Sequence, residues 1–190
     1  MSNKILELWG DGAVKANGKP EAVAGWGAII KLGDQTIREW NGHLPAPKYP
    51  PYQSNNTGEL MAVISGLEAL ERPYTLTVFS DSAYVINGMT EQWHKNWERN
   101  GWKNANGEPV KNKRLWKRLV EAASKHDIKW VHVRGHVGID DNERCDELAK
   151  MGVNQQLVDN WLQPVSTFLA EAPSYVPVSY DLDSDEGVDF

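Results

Sequence analysis

Hydrophobic and polar positions along the chain fall into two rhythms, and each predicts an element. Ile5–Trp9 (ILELW) alternates with a period of two, as a strand does, and runs into Gly10-Asp11-Gly12, which reads as a turn. Gly25–Leu32 and Thr36–Trp40 read as the next two strands, with a hairpin turn at Gly33-Asp34. Pro45, Pro47, Pro50 and Pro51 make the following segment a loop. Over Thr57–Leu70 the rhythm changes: Leu60, Val63, Ile64, Leu67 and Leu70 recur at helical spacing and predict an amphipathic helix. Thr75–Phe79 (TLTVF) predicts a strand and Ser82–Met89 a short helix. Asn112–Lys125 sets Leu115, Trp116, Leu119, Val120 and Ala123 on one helical face, and Ile128–Val133 predicts a fifth strand. Asp140–Met151 predicts a last helix, with Gly152 where a helix commonly stops. Three strands that look antiparallel, then helix, strand, helices, strand and helix, predict an α/β fold. Its sheet is five-stranded and mixed, with helices packed on it.

Composition narrows the class. The 190 residues suffice for one domain with a core and some remainder. No apolar run approaches the ~20 residues of a membrane helix, and the first residues carry no apolar signal stretch, so no membrane association is expected. The single cysteine, Cys145, excludes an internal disulfide and fits a reducing cytoplasm. The net charge of -6 argues at first against a nucleic-acid partner. Its distribution reverses that: residues 154–190 hold seven acids and no Lys or Arg, which leaves residues 1–153 at +1. Within that body, residues 91–118 carry eight Lys or Arg and three Glu. The expected organisation is a domain over 1–153 and an extension over 154–190, partly docked and then an acidic flexible tail.

The acids carry the candidate chemistry. Asp11 is placed at the end of the first strand, Asp81 just after the fourth, Glu59 in the first turn of a helix and Asp146 inside the last helix. Carboxylates at strand ends are a usual location for site residues in open α/β sheets. Taken singly, Glu59 also suits the helix dipole and Asp81 suits a cap. Four acids on four elements converge only through the fold, and spacing alone leaves that open. If they converge they repel, and a hard divalent cation, Mg²⁺ or Mn²⁺, resolves the repulsion.

Seven motifs then recur in order: WGDGA at 9–13, NNTGELMA at 55–62, FSDSAYV at 79–85, WxxxW…GWK between 93 and 103, NKRLW at 112–116, IKWVHVRGHVG at 128–138 and DNERCDELA at 141–149. Together they resemble type 1 ribonuclease H of the bacterial kind over residues 3–152. The resemblance implies a ribonuclease H-like fold and an endonuclease that hydrolyses the RNA strand of RNA–DNA hybrids without sequence specificity. It implies two Mg²⁺ ions, with Mn²⁺ as substitute, products with 5′-phosphate and 3′-hydroxyl ends, and a role in removing RNA primers and R-loops. Asp11, Glu59, Asp81 and Asp146 match the family's metal-binding acids, and His136, flanked by Gly135 and Gly138, matches its histidine on a mobile loop. His43, His94, His126 and His132 match no catalytic position. Asn17, Ser54, Asn55 and Asn56 match positions that contact the hybrid. Trp93, Trp97, Trp102, Lys95, Arg99, Lys103 and Lys111 match its basic substrate-binding handle. The loops over 13–25 and 45–53 are longer than the family's usual ones.

Two alternatives come from other classes: a hybrid-binding module without catalysis, and a DNA nuclease or transposase on the same fold. Intact acids oppose the first, and the handle and the RGHVG loop oppose the second. A monomer is expected. The segment 181–190 (DLDSDEGVDF) weakly resembles the acidic C-terminal peptide of bacterial single-stranded DNA-binding proteins. Three readings stand for it: a solvated tail, a link to such a protein as a second partner, or a competitor for the basic segment.

Overall fold

A computed structural model describes residues 5–45, 52–135 and 138–162. His136, the prolines at 47, 50 and 51, and the segment from 163 onward lie outside the described residues. Three antiparallel strands come first: β1 (Leu6–Lys15), β2 (Val23–Leu32) and β3 (Gln35–His43). Helix α1 (Asn55–Glu68) leads to β4 (Thr75–Ser80), which pairs in parallel with β1. Helices α2 (Ala83–Thr90), α3 (Trp93–Arg99) and α4 (Lys113–Ala123) precede β5 (Asp127–His132), parallel to β4, and α5 (Asp140–Leu162) follows. The sheet order is β3-β2-β1-β4-β5, the five-stranded mixed sheet that the sequence predicts.

Period-two alternation sends neighbouring side chains to opposite faces. On β1, Leu8 enters the core beneath α1 and α4, while Trp9 packs with Cys145 and Leu148 of α5. On β2, Trp26, Ala28 and Ile30 face the first core and Ile29 the second. Ion pairs from Lys31 to Asp141 and from Arg144 to Glu39 tie the start of α5 across β2 and β3.

Two glycines do different work from that expected. Gly10-Asp11-Gly12 is not a turn: β1 runs through it, and Asp11 pairs with Gly27 in mid-strand. A Cβ on Gly12 would stand 2.5 Å from the Gly58 carbonyl carbon, so this glycine lets α1 lie on the strand. Gly152 does not stop α5, which continues to Leu162. A Cβ there would stand 2.9 Å from the Gly42 carbonyl carbon, so it lets helix and sheet touch. In both places the glycine marks close backbone approach.

Candidate active site

The strand geometry opens the site. β1 and β4 pair only from Leu6–Leu76 to Trp9–Phe79 and then separate. Asp11 lies on β1 just past that point, and Asp81 directly follows the end of β4. A divergence of parallel strands at their carboxyl ends is where open α/β sheets hold ligands. Glu59 arrives from the first turns of α1, brought close by the Gly12–Gly58 contact. Carboxylate oxygens of Asp11, Glu59 and Asp81 all lie within 4.8 Å of one another.

These acids are poorly solvated. Asp11 is 5% exposed and Glu59 4%. Burial, then the Asp81 charge, then Asp146, push the Asp11 carboxyl up to about 7, against a hydrogen bond from the Gly12 amide that pulls it down. Burial, then Asp11 and Asp81, hold Glu59 well above the usual carboxylate range. Asn55 Nδ2 donates to Glu59 Oε1 at 2.9 Å, while Glu59 Oε2 is buried with no hydrogen-bond partner among the described residues. A buried acceptor left orphaned among other carboxylates fits a cation-binding position. Hard oxygen donors from three carboxylates suit Mg²⁺ or Mn²⁺.

Asp146 stands apart from the other three. It is outside the cluster, pairs with Lys150 at 2.5 Å one turn along α5, and reaches Asp11 through its charge. Three residues that the sequence reading did not assign here also touch the site. Asn142, 2% exposed, donates from Nδ2 to Asp81 Oδ2 at 3.2 Å. Its place one helical turn before Asp146 was the available signal. His132 Nε2 lies 3.0 Å from the Asp81 carbonyl oxygen, a structural contact. Gly135 lies so close to Asp81 that a Cβ would stand 3.3 Å from its Cγ.

The expected substrate residues fall into two groups. Asn17, Ser54 and Asn55 come together at the start of α1: Asn17 Oδ1 accepts the Asn55 amide at 3.3 Å, and the Ser54 amide donates to Thr57 Oγ1 at 3.0 Å. Asn56 follows on the first turn, half-buried. The second group is the handle. Trp93, Trp97 and Trp102 are half-buried around the fully buried Trp116, with Trp97 5.2 Å from Trp116 and 5.9 Å from Trp102 between ring centroids. Lys95, Arg99, Lys103 and Lys111 are exposed on this aromatic base.

Comparison with known proteins agrees with the fold. The RNase H family model matches residues 3–154. Ribonuclease H of Rhodospirillum rubrum is 47% identical over 150 residues, 79% of this chain and 84% of the relative. Among solved structures, LC9-RNase H1, a type 1 RNase H with the type 2 active-site motif, superposes with a TM-score of 0.68 at 25% identity. That match covers 88% of this chain and 84% of the other. LC11-RNase H1 in complex with RNA/DNA hybrid superposes with a TM-score of 0.57 at 18% identity, over 80% of this chain and 99% of the other.

Proposed function

The chain belongs to the ribonuclease H family, and from that membership we propose an endonuclease that hydrolyses the RNA strand of RNA–DNA hybrids. The observation that carries the reading is the cluster of Asp11, Glu59 and Asp81, the first two buried and the third half-buried, mutually repelling, with Glu59 Oε2 left without a hydrogen-bond partner among the described residues. A pure binding module gains nothing from such repulsion. Asp11, Glu59 and Asp81 would hold divalent cations, with Asp146 alongside; the proposal is two Mg²⁺ ions, or Mn²⁺ in their place. When bound, such ions neutralise charge at the scissile phosphate and supply Lewis acidity for hydrolysis to 5′-phosphate and 3′-hydroxyl products.

The chain's own groups set the frame for that chemistry. Asn55 orients Glu59, and Asn142 holds Asp81. His136 would carry a proton or assist product release near neutral pH. The closeness of Gly135, its neighbour in sequence, to Asp81 supports that role. Asn17, Ser54, Asn55 and Asn56, at the start of α1, would meet sugar and phosphate oxygens, and the 2′-hydroxyl is what distinguishes RNA there. Contacts of that kind carry no base information, so cleavage is sequence-nonspecific. Lys95, Arg99, Lys103 and Lys111, exposed on the tryptophan base of Trp93, Trp97 and Trp102, would grip DNA-strand phosphates. LC11-RNase H1, which shares this fold, is seen with an RNA/DNA hybrid. No helix among the described residues is long and apolar enough to cross a membrane. A monomer acting in the cytoplasm on primers and R-loops, with a single-stranded DNA-binding protein as a further partner, completes the reading.

Cleavage of hybrid, duplex DNA and duplex RNA, each with Mg²⁺ and with EDTA, tests it. Hybrid alone is expected to be cut, in the RNA strand, and only with the metal. Equal cutting of duplex DNA, or cutting in EDTA, overturns the reading.

A further inference from the structure

One groove, which shares only Lys111 with the handle, and one sequence motif are not accounted for by this function. A cavity of about 500 Å³ lies between the start of α1 and the segment leading into α4. Leu44, Pro45, Pro109, Val110 and Leu115 give it an apolar wall. Lys111, Lys113 and Arg114 line it as well, and all three are exposed. Nucleic-acid backbone suits the cations, but its phosphates and sugars have no use for the wall. The groove therefore fits a ligand that is both anionic and apolar.

The chain carries such a ligand. Residues 181–190 (DLDSDEGVDF) hold five acids, interleaved with Leu182, Val188 and Phe190, and no cation. We propose that this segment docks in the groove of its own chain. Its acids face Lys111 and Lys113, and its apolar side chains lie against Leu44, Val110 and Leu115. Docking there covers Lys111 and the approach to the start of α1, so it competes with the hybrid; that competition, unlike the docking, rests on the hybrid-cutting reading.

Reach does not limit this. The 18 residues between Leu162 and Asp181 span up to ~60 Å when extended, more than the ~40 Å breadth of a domain this size. Tethering at that length gives an effective concentration on the order of millimolar, so even a segment with a Kd of about 1 mM occupies the groove for much of the time.

The test uses the full chain and two variants. One neutralises Asp181, Asp183, Asp185, Glu186 and Asp189 as Asn or Gln. The other carries Leu182→Ser, Val188→Ser and Phe190→Ser with every acid intact. Backbone NMR signals of Leu44, Val110 and Leu115 are followed, together with KM for hybrid at low salt. Both variants are expected to move those signals and to lower KM about 3-fold, with kcat unchanged. The KM difference should fade above about 0.3 M salt. Still signals in both variants overturn the docking. A lower KM in the acid variant alone, with still signals, shows long-range repulsion and also overturns it. Shifts that grow with protein concentration show a second copy's segment and overturn the intramolecular site. Moved signals with unchanged KM overturn the competition. The groove signals report docking even in a chain that cuts no hybrid, so the two readings fail separately.

Discussion

Asp11 keeps its proton to about pH 7 because it is buried and faces Asp81, and this has a thermodynamic consequence. The unfolded chain releases that proton near the ordinary carboxylate value of 3.8, the folded chain near 7. Between these values the folded state binds more protons, so metal-free stability falls as pH rises through the window. Glu59 contributes with the same sign. Thermal unfolding in EDTA should give a lower Tm at about pH 8 than at about pH 5. Asp11→Asn removes a charge that folding disfavours, so its metal-free Tm at about pH 8 should exceed that of the parent by roughly 3 °C or more. The same variant, and Asp81→Asn, should lose kcat by at least about 100-fold while hybrid binding in EDTA is retained. A stabilised, inactive variant is what a cation site produces; an active one removes the metal assignment. Asp146, already paired with Lys150 and outside the cluster, should tolerate Asn best of the four, as kcat measured side by side will show.

At the scale of elements, glycine shows how local signals become ambiguous. Gly12 and Gly152 carry the composition signal of a turn and of a helix stop, yet both sit where two backbones touch. A lone helix gains about 1 kcal/mol from Gly→Ala in its interior. Gly152→Ala should instead lose stability, by ~1–3 kcal/mol or several degrees in Tm, because its Cβ meets Gly42. Helix α3 escaped the hydrophobic pattern for the opposite reason: none of its residues is buried, and the residue before it, Gln92, is left-handed at φ 56°. Its fold comes from Trp97, edge-on, and Trp93, tilted, packing against Trp116. Removing Lys95 and Arg99 together as Ala should therefore leave Tm almost unchanged. KM for hybrid should rise several-fold at low salt, and the salt slope of binding should fall by about 1 per cation that met a phosphate. An unaltered slope would take the handle out of substrate binding.

For the whole molecule, two hydrophobic cores on the two faces of one sheet hold the fold, and neither includes the acid cluster. EDTA should abolish cleavage while leaving the far-ultraviolet circular dichroism unchanged, a result that separates a metal needed for chemistry from one needed for folding. Elements were legible in the sequence because their signals are local. Alternation in ILELW and the spacing of Leu60, Val63, Ile64 and Leu67 report the type of element, although α1, expected to be amphipathic, is buried on every side from Thr57 to Leu67 because it lies between the sheet and α4. The charge division between a near-neutral body and an acidic extension was equally plain. Chain order also held the acids, but only as four separate residues. Their meeting depends on where β1 and β4 part, on a strand and a helix that touch at Gly12 and Gly58, and on a helix turn that brings Asn142 to Asp81. Those are distances between residues up to 70 positions apart, as Leu6 and Leu76 are, and no local pattern encodes them. So the sequence by itself determined the elements other than α3, the sheet class and the roster of candidate acids. Tertiary structure alone decided that three of the four share one buried site and that the fourth stands beside it. The physical reason is that burial and mutual repulsion exist only between groups that folding has brought together.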